Sequence, residues 1–520
     1  MIRSLLLLLF LLAFVIHAKA LPAPLPSSQV VIAYNEKAEG AKELAEFYAI
    51  SRQIPPSQIV ALSTTEKATI DRKTYEQTIR TPLRKKFIDA GWWTMGKDPQ
   101  GTELPVKTTV RCLVLMKGLP LRISRQEIPE GESEEQNRFA KNNEAAVDSE
   151  LTLMGVSQHP LGGPFPNPYF GKDYPAVDNP ATYQLLVGRI DAPTYDHCQR
   201  MILDALDIEE SGLWGRTYID VAQKGGGFAV GDTWMNNIAA QSIETGIPTI
   251  VDKTKDTFVT NYPMTDAAVY FGWYTTHRNG PFLNPAMKFK KGAIAVHLHS
   301  FSAEQLINPT KNWSAALIDR GAAATLGNTW EPYLQISHQF DIFYDRLLQG
   351  YSLIEAGSMS MNALSWQNII IGDPLYRPYQ VSAEKTQDFS SDLDYKALRY
   401  AQTKWSDPAE RYRELIKAAD RMKSGTIYEA LGYQSLELGN NEPAIDAFKK
   451  AGQLFTTPAD QLRQVLNLVE VERRRKDSAA ALKLLHTGKA IFKDLPELKA
   501  IEGLLTILDP PAPPPAKTSK

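Results

Sequence analysis

The sequence predicts an α/β fold, a mostly parallel sheet covered by helices, followed by an all-α helical domain. Short apolar runs alternate with helical patterns over residues 28–380, as in parallel sheets with crossover helices. Polar residues replace the apolar runs at 381–394, which predicts a linker. Residues 395–508 then have a helical pattern. With 520 residues, 43% apolar and 22% charged, the chain is long enough for one large core and a second domain.

Residues 1–20 have the pattern of a secretory signal peptide. Arg3 precedes an apolar run over residues 5–16, and the small-residue pattern Ala18-Lys19-Ala20 follows. Because the run is shorter than the about 20 residues that span a bilayer, we expect cleavage after Ala20 rather than a transmembrane anchor. The mature protein is therefore expected to be exported, either to the periplasm or to the extracellular space.

The first elements of the body predict a βαβ unit, with a strand over 29–33, a helix over 40–51 and a strand over 59–62. Further buried strands are expected at 110–116, 184–187, 217–221, 268–271, 292–297 and 322–326. In such sheets, ligands bind beyond the carboxyl ends of the strands. The segments after Phe271 and Val296 are therefore the places to look for a site.

Charge and cysteine content exclude several classes of function. The formal net charge is −2, so no basic surface is expected and nucleic acid is not an expected partner. Cys112 lies in an apolar run and Cys198 in a helical pattern, which predicts two buried thiols rather than a disulfide. Their spacing matches no metal-binding or redox motif.

The C-terminal helical sequence contains one tetratricopeptide-like pattern. Its residues are Tyr428, Leu431, Gly432, Ala444, Phe448, Ala451 and Pro458. We predict a short array of two or three helical units, which either caps the body or binds envelope proteins or peptides in a groove. The Pro-rich tail, residues 509–520, is expected to be disordered.

The segment from Gly292 to Ser302 carries the candidate chemistry. It is an apolar run that ends in two imidazoles and two hydroxyls, His297, His299, Ser300 and Ser302. If the strand continues through the segment, alternation puts the histidines on one face and the serines on the other.

Three phrases, Val187-Gly-Arg-Ile190, the run 321–327 and the run 371–375, occur in the order found in gingipain-like members of the caspase clan. This resemblance covers roughly residues 180–380. Almost the whole chain also resembles an exported bacterial family associated with genomes that carry exosortase, through the phrases at 187–193, 330–334 and 372–378. The resemblance implies a caspase-like fold rather than a reaction.

A gingipain-like peptidase needs a histidine after one strand and a cysteine after the neighbouring strand. The resemblance puts Trp273 at the position of that histidine, and His299-Ser300 where the family has Ala-Cys. No cysteine of this chain can be aligned with the nucleophile. The standard cysteine peptidase reaction is therefore not expected.

Two other chemistries stay open. Ser300 or Ser302 would act as nucleophile with His277 or His299 as base, if folding brings nitrogen and hydroxyl to about 3 Å. Alternatively, His297 and His299 would bind zinc or another divalent metal, with Asp148, Glu150 or Glu331 as a third ligand. Supporting roles near the site are predicted for Trp273, Arg189, Asp191 and Glu331.

The interpretation adopted is an exported, envelope-associated binding or scaffolding protein without a resident cofactor, linked to surface-protein sorting or exopolysaccharide systems. A hydrolase of peptide or acyl bonds that uses His and Ser is the first alternative. A metal-dependent hydrolase that uses His297 and His299 is the second.

Overall fold

A computed structural model describes residues 20–127, 142–157, 163–254, 257–383 and 391–510. The predicted signal peptide up to residue 19, part of the linker and the tail from residue 511 lie outside the described residues. Among the described residues, no helix combines the length and apolar character that a bilayer crossing requires.

The described residues contain seventeen strands. They are β1 (Val30–Asn35), β2 (Ile59–Leu62), β3 (Thr69–Ile70), β4 (Trp93–Lys97), β5 (Glu103–Thr108), β6 (Cys112–Met116), β7 (Arg122–Ile123), β8 (Ala145–Ala146), β9 (Phe165–Pro166), β10 (Leu186–Ile190), β11 (Arg216–Asp220), β12 (Thr249–Asp252), β13 (Ala267–Gly272), β14 (Ile294–His297), β15 (Thr325–Asn328), β16 (Ala363–Leu364) and β17 (Asn368–Ile371).

Two sheets form the centre of the α/β body. One has the order β15-β17-β10-β6-β1-β2, and the other has the order β12-β11-β13-β14. A parallel bridge between Ile294 and Ala324 joins β14 to β15. Every neighbouring pair in the two sheets is parallel except β15 and β17. The predicted mostly parallel sheet is therefore confirmed, and β12 and β17 are additions that the sequence did not reveal.

The antiparallel pair reverses the direction of the strands midway across the body. Because β15 runs parallel to β14 but antiparallel to β17, the strand β10, which is parallel to β17, runs opposite to β14. The carboxyl ends of β10 and β14 therefore lie at opposite edges of the combined sheet. Arg189 and Asp191, at the carboxyl end of β10, therefore lie at the edge opposite to the segments that follow β13 and β14.

Helices cover both sheet faces and form the C-terminal region. They are α1 (Ala41–Arg52), α2 (Arg72–Tyr75), α3 (Thr81–Asp89), α4 (Val147–Leu151), α5 (Tyr195–Ser211), α6 (Ala229–Glu244), α7 (Ser314–Asp319), α8 (Phe340–Leu348), α9 (Leu353–Ser360), α10 (Leu393–Lys404), α11 (Pro408–Met422), α12 (Gly425–Glu437), α13 (Asn441–Leu454), α14 (Pro458–Arg474), α15 (Ser478–Ile491) and α16 (Leu498–Leu508).

Alternating side chains of the four-stranded sheet enter different cores. Ile219 and Phe271 pack in the core that contains α5, α6, α8 and α9. Tyr218 and Tyr270 point the other way, into a core that also contains residues of α12, α13 and α14. The C-terminal helices thus complete the hydrophobic core on this face of the sheet.

A buried ion cluster accompanies that shared core. Glu429 of α12 is 0% exposed, and it accepts hydrogen bonds from Arg216 of β11 at 2.8 Å and from Arg463 of α14 at 2.6 Å. Arg463 also contacts Asp460 at 2.7 Å, and Asp460 accepts a hydrogen bond from Thr265 of the body at 2.5 Å. Charged groups from the body and the helices therefore satisfy one another in the interior.

The helical region consists of successive helices that pack each against the next in the chain. Gly432 of α12 faces Phe448 of α13, and a Cβ atom at Gly432 would lie 2.5 Å from that ring. This close approach has the small-against-large character that the tetratricopeptide-like pattern predicts, and the repeat assignment itself stays a prediction.

Candidate functional site

The candidate site lies at the carboxyl ends of β13 and β14. The two strands are neighbours and parallel, and Gly272 is opposite His297. Residues that follow each strand line one cleft of about 300 Å³ that is open to solvent, here called the β13–β14 cleft. Its lining consists of Gly227, Phe228, Trp273, Tyr274, Leu298, His299, Ser300, Asn328, Glu331, Pro332, Tyr333, Leu334, Gln335 and Ser337.

His297 is a buried part of the core rather than a ligand of the cleft. Its ring stacks on Trp313 at a centroid distance of 3.5 Å. Nε2 accepts a hydrogen bond from the Thr275 amide at 3.3 Å, and Nδ1 lies 2.9 Å from the Tyr270 hydroxyl. Burial lowers the pKa of His297 well below its usual value. The imidazole is therefore neutral, and neither nitrogen is available to a metal ion.

The expected alternation stops at His297, where β14 ends. Residues 300–303 form turns, and Phe301 has a φ of 60°. The prediction that His297 and His299 share one strand face is therefore wrong. The physical reason is that hydrogen bonding between β14 and its neighbours, which imposes the alternation, does not extend to His299.

His299 lies in the cleft and is partly buried. Nδ1 is hydrogen-bonded to the Ser300 carbonyl, so Nδ1 carries the proton and Nε2 keeps its lone pair. Nε2 lies 3.4 Å from the Thr276 hydroxyl, and the ring packs on Tyr274 at 4.8 Å. Burial lowers the pKa of His299, although the bond to the Ser300 carbonyl opposes this effect. A neutral imidazole with an accepting Nε2 therefore faces the cleft region.

The predicted pairing of a serine with an imidazole is not formed. Ser300 lines the cleft, and among the described residues no hydrogen bond joins its hydroxyl to His277 or His299. Nδ1 of His277 instead accepts a hydrogen bond from the Asn312 amide at 3.2 Å. Ser302 is buried, and its hydroxyl accepts from the Asn328 amide at 3.0 Å. Ser302 therefore supports the loop rather than the cleft.

Trp273 occupies the position that the resemblance assigns to a catalytic histidine. The indole is 1% exposed, and its Nε1 donates to Asp232 at 2.9 Å. Gly231 lets helix α6 approach the indole ring closely, because a Cβ atom at this position would lie 2.5 Å from the ring. An indole nitrogen donates hydrogen bonds but cannot take up a proton as a base does.

Asp148, Arg189 and Asp191 lie in a separate ion cluster. Arg189 is 0% exposed, and it pairs with Asp148 at 2.6 Å and with Asp191 at 3.2 Å. Arg189 belongs to β10, whose carboxyl end lies at the sheet edge opposite to that of β14. The predicted His297, His299 and Asp148 metal site is therefore not assembled, and no group of three metal-ligating side chains occurs within the described residues.

Glu331 is the one acidic residue of the prediction that reaches the cleft. It is exposed, it lines the cleft, and its charge acts to raise the pKa of His299. Of the four predicted supporting residues, Trp273 and Glu331 therefore lie at the cleft, whereas Arg189 and Asp191 do not.

Aromatic side chains of the cleft were missed by sequence reasoning. Phe228 lies 6.2 Å from Trp273 and 5.6 Å from Tyr274, measured between ring centroids. The Lys224 ammonium lies 5.1 Å from the centre of the Tyr274 ring. The sequence indicates an aromatic residue in this loop only through Phe228 at the end of Lys-Gly-Gly-Gly-Phe. The spacing of residues along the chain does not show that the loop lies next to the end of β13.

The two thiols lie in the hydrophobic core rather than in the cleft. Cys112 and Cys198 are free and buried, which confirms the prediction of two buried thiols. Burial raises the pKa of both groups, so the reactive thiolate form is suppressed. The cleft therefore offers a hydroxyl, a neutral imidazole and aromatic surfaces, without a thiol nucleophile.

Comparison with known proteins gives limited likeness. No family model matches the sequence, and no curated protein matches it. The chain is similar to a solved structure titled "Structure of Protease", with a TM-score of 0.39 and 11% identity, over 68% of this chain and 79% of that chain.

Proposed function

We propose that this protein is an exported binding or scaffolding protein, linked to surface-protein sorting or exopolysaccharide systems, whose β13–β14 cleft binds a peptide segment. One observation carries the proposal. The cleft lies at the ends of two parallel strands, and Trp273, at the position that the resemblance gives to the catalytic histidine, donates its hydrogen bond to Asp232 and cannot act as a base.

The chemistry of the walls favours binding. Phe228, Tyr274 and Tyr333 offer rings, and His299 and Glu331 offer polar atoms at the same cleft. Aromatic side chains contribute much of the affinity at protein interfaces, since they bury large areas at a small cost in side-chain entropy. A peptide with an apolar or aromatic side chain is therefore the occupant that we expect.

The helical region supplies a second element of the proposal. Helices α12 to α14 contribute to the core beneath the four-stranded sheet, so their role there is that of a stabilising cap. Any docking of envelope proteins by the array would use helical surfaces that face away from the body.

The cleft is tested with peptides selected on the full chain from a random heptapeptide display library. Replacing Tyr274 by Ala should weaken the selected peptides by about tenfold or more, because a central aromatic contact is lost. The matched control is Tyr400→Ala, since Tyr400 of α10 is 41% exposed and lies outside the cleft lining. Peptides that bind both variants as tightly as the original chain would contradict a peptide-binding cleft.

A serine hydrolase is the second candidate, because Ser300 and His299 both line the cleft and Nε2 of His299 keeps a lone pair. This candidate requires that substrate binding bring the Ser300 hydroxyl and Nε2 of His299 within hydrogen-bond distance. A fluorophosphonate probe should label the original chain only if this candidate is right, and Ser300→Ala should then abolish labelling while Ser302→Ala provides the comparison.

A further inference from the structure

A second cavity lies between the α/β body and the C-terminal helices, away from the β13–β14 cleft. This interdomain cavity has a volume of about 80 Å³ and is open to solvent in part. It lies beside β12, the edge strand of the four-stranded sheet. Its apolar lining consists of Ile243, Ile250, Val251, Phe258, Val259, Tyr262, Leu436, Leu466, Val469 and Leu504.

One carboxyl group, that of Asp252, stands among these apolar walls and has no ion-pair partner within the part of the chain that the structure describes. Asp252, the last residue of β12, accepts hydrogen bonds from the Thr254 amide at 3.1 Å and the Thr254 hydroxyl at 2.9 Å. Each oxygen therefore retains a lone pair. Among the described residues, no lysine or arginine forms an ion pair with Asp252.

The other charged groups at the cavity are already paired. Arg473 contacts Glu470 at 2.9 Å, and Arg474 contacts Glu437 at 3.0 Å and Glu470 at 3.1 Å. These side chains are about one third exposed, with values between 29% and 39%. The charges of these four side chains balance one another at the rim, so Asp252 is the charged group left for a ligand among the described residues that line the cavity.

We propose that the interdomain cavity binds a small apolar molecule that carries one ammonium group, with the apolar part against Phe258 and Tyr262 and the ammonium on Asp252. Charge complementarity selects this class, because a carboxylate ligand would face Asp252 and a neutral apolar ligand would leave it unpaired. The inference does not depend on the function proposed for the β13–β14 cleft.

The protonation of Asp252 predicts that ligand binding depends on pH. Burial raises its pKa to about 6, against the hydrogen bonds from Thr254 that lower it, while Glu470 raises it and Arg473 lowers it. Glu437 and Arg474 are the other charged groups at this cavity. The carboxylate is therefore ionised at pH 7.5 and largely neutral at pH 5, so an ammonium ligand should bind more weakly at the lower pH.

The test compares phenethylamine, 2-phenylethanol and 3-phenylpropionate on the full chain by ligand-observed NMR titration. At pH 7.5 phenethylamine should bind about tenfold or more tightly than the alcohol, because it forms a charge-assisted hydrogen bond. The carboxylate should bind more weakly than either. Equal binding of the amine and the alcohol, tighter binding of the carboxylate, or binding of none of the three would overturn the proposal.

Substitutions at the cavity distinguish the contribution of the Asp252 carboxylate to ligand binding from that of the other charged groups. Asp252→Asn should remove the preference for the amine over the alcohol, whereas Glu437→Gln, a paired carboxylate at the rim, should keep it. If Asp252→Asn does not fold, the pH dependence of phenethylamine binding to the original chain replaces it, with an expected loss of about tenfold between about pH 7.5 and about pH 5. An affinity that is unchanged over this range would refute the assignment.

Discussion

Glu429 carries a buried negative charge that two guanidinium groups share. It lies in α12, and its partners Arg216 and Arg463 come from the body and from α14. Burial alone would raise the pKa of Glu429, but the two guanidinium groups more than offset this effect and lower it. A single side chain therefore connects the α/β body to two helices of the C-terminal region.

Replacing Glu429 by Gln should lower the free energy of unfolding by about 3 to 5 kcal/mol, because it removes the buried counter-charge and leaves Arg216 with only Asp266 and Arg463 with only Asp460. Chemical denaturation measures the difference. Glu437→Gln on the same helix is the control, since Glu437 is 39% exposed in its pair with Arg474 and should cost about 1 kcal/mol or less. Equal losses for the two variants would count against a special role of the buried cluster.

The same residue predicts a pH dependence. The pKa of Glu429 is lower in the folded state than the about 4.3 of an unfolded chain, so its contribution is fully present above that value. It is lost as pH falls through the folded-state pKa. The stability difference between the original chain and Glu429→Gln should therefore be constant from pH 7 to pH 5 and shrink below about pH 4.

At the scale of elements, small residues determine how closely helices approach their neighbours. Gly231 lets α6 contact Trp273, and Gly432 lets α12 contact Phe448. In both positions an added methyl group would lie 2.5 Å from an aromatic ring. Gly432 is one of the small residues of the tetratricopeptide-like pattern, and its lack of a side chain permits this close packing of the helix on an aromatic ring.

Gly432→Ala should destabilise the protein by about 1 to 3 kcal/mol, because the methyl group overpacks the α12–α13 contact. Gly452→Ala in α13 is a matched control, since a Cβ atom there meets Gln464 at 3.5 Å, an ordinary contact. Gly452→Ala should be neutral or stabilising, because alanine favours a helix over glycine by up to about 1 kcal/mol. Thermal unfolding distinguishes the two, and a neutral Gly432→Ala would show that the ring moves freely.

At the scale of the whole molecule, the body and the C-terminal helices share one core. Tyr218 and Tyr270 of the sheet pack in the same cluster as Leu436, Phe448 and Val471 of the helices. The ion cluster at Glu429 lies at the same boundary. The helices are therefore part of the structural support of β11 and β13, and through β13 they support the candidate cleft.

A chain that ends at Gln380 should fail to form a soluble monomer, because it exposes this apolar face and leaves Arg216 buried without Glu429. Size-exclusion chromatography of the refolded fragment measures the outcome, with a chain that ends at Pro510 as the control. In the full chain the body and the helices should unfold in one transition. A monomeric fragment with native-like circular dichroism would show that the body is independent.

Local sequence was sufficient for the elements whose residues are buried on both sides. The runs that became β1, β6 and β13 are almost continuously apolar, and their burial requires a parallel sheet beneath helices. The strand β17 (Asn368–Ile371) was missed, because only its Ile-Ile-Ile run is apolar and its flanks resemble turns. The neighbouring positions of Trp273 and His299 followed from the parallel pairing of their two strands.

The amino-acid sequence by itself determined the alternation of strands and helices, the helical C-terminal region and the segments that follow β13 and β14. Tertiary structure decided what those segments do. The ion pair with Arg189 holds Asp148 in a separate cluster, stacking on Trp313 holds His297 in the core, and the loop that precedes α6 supplies Phe228 to the cleft. Each outcome depends on contacts between residues distant in the chain, which hydrophobic periodicity and spacing do not encode.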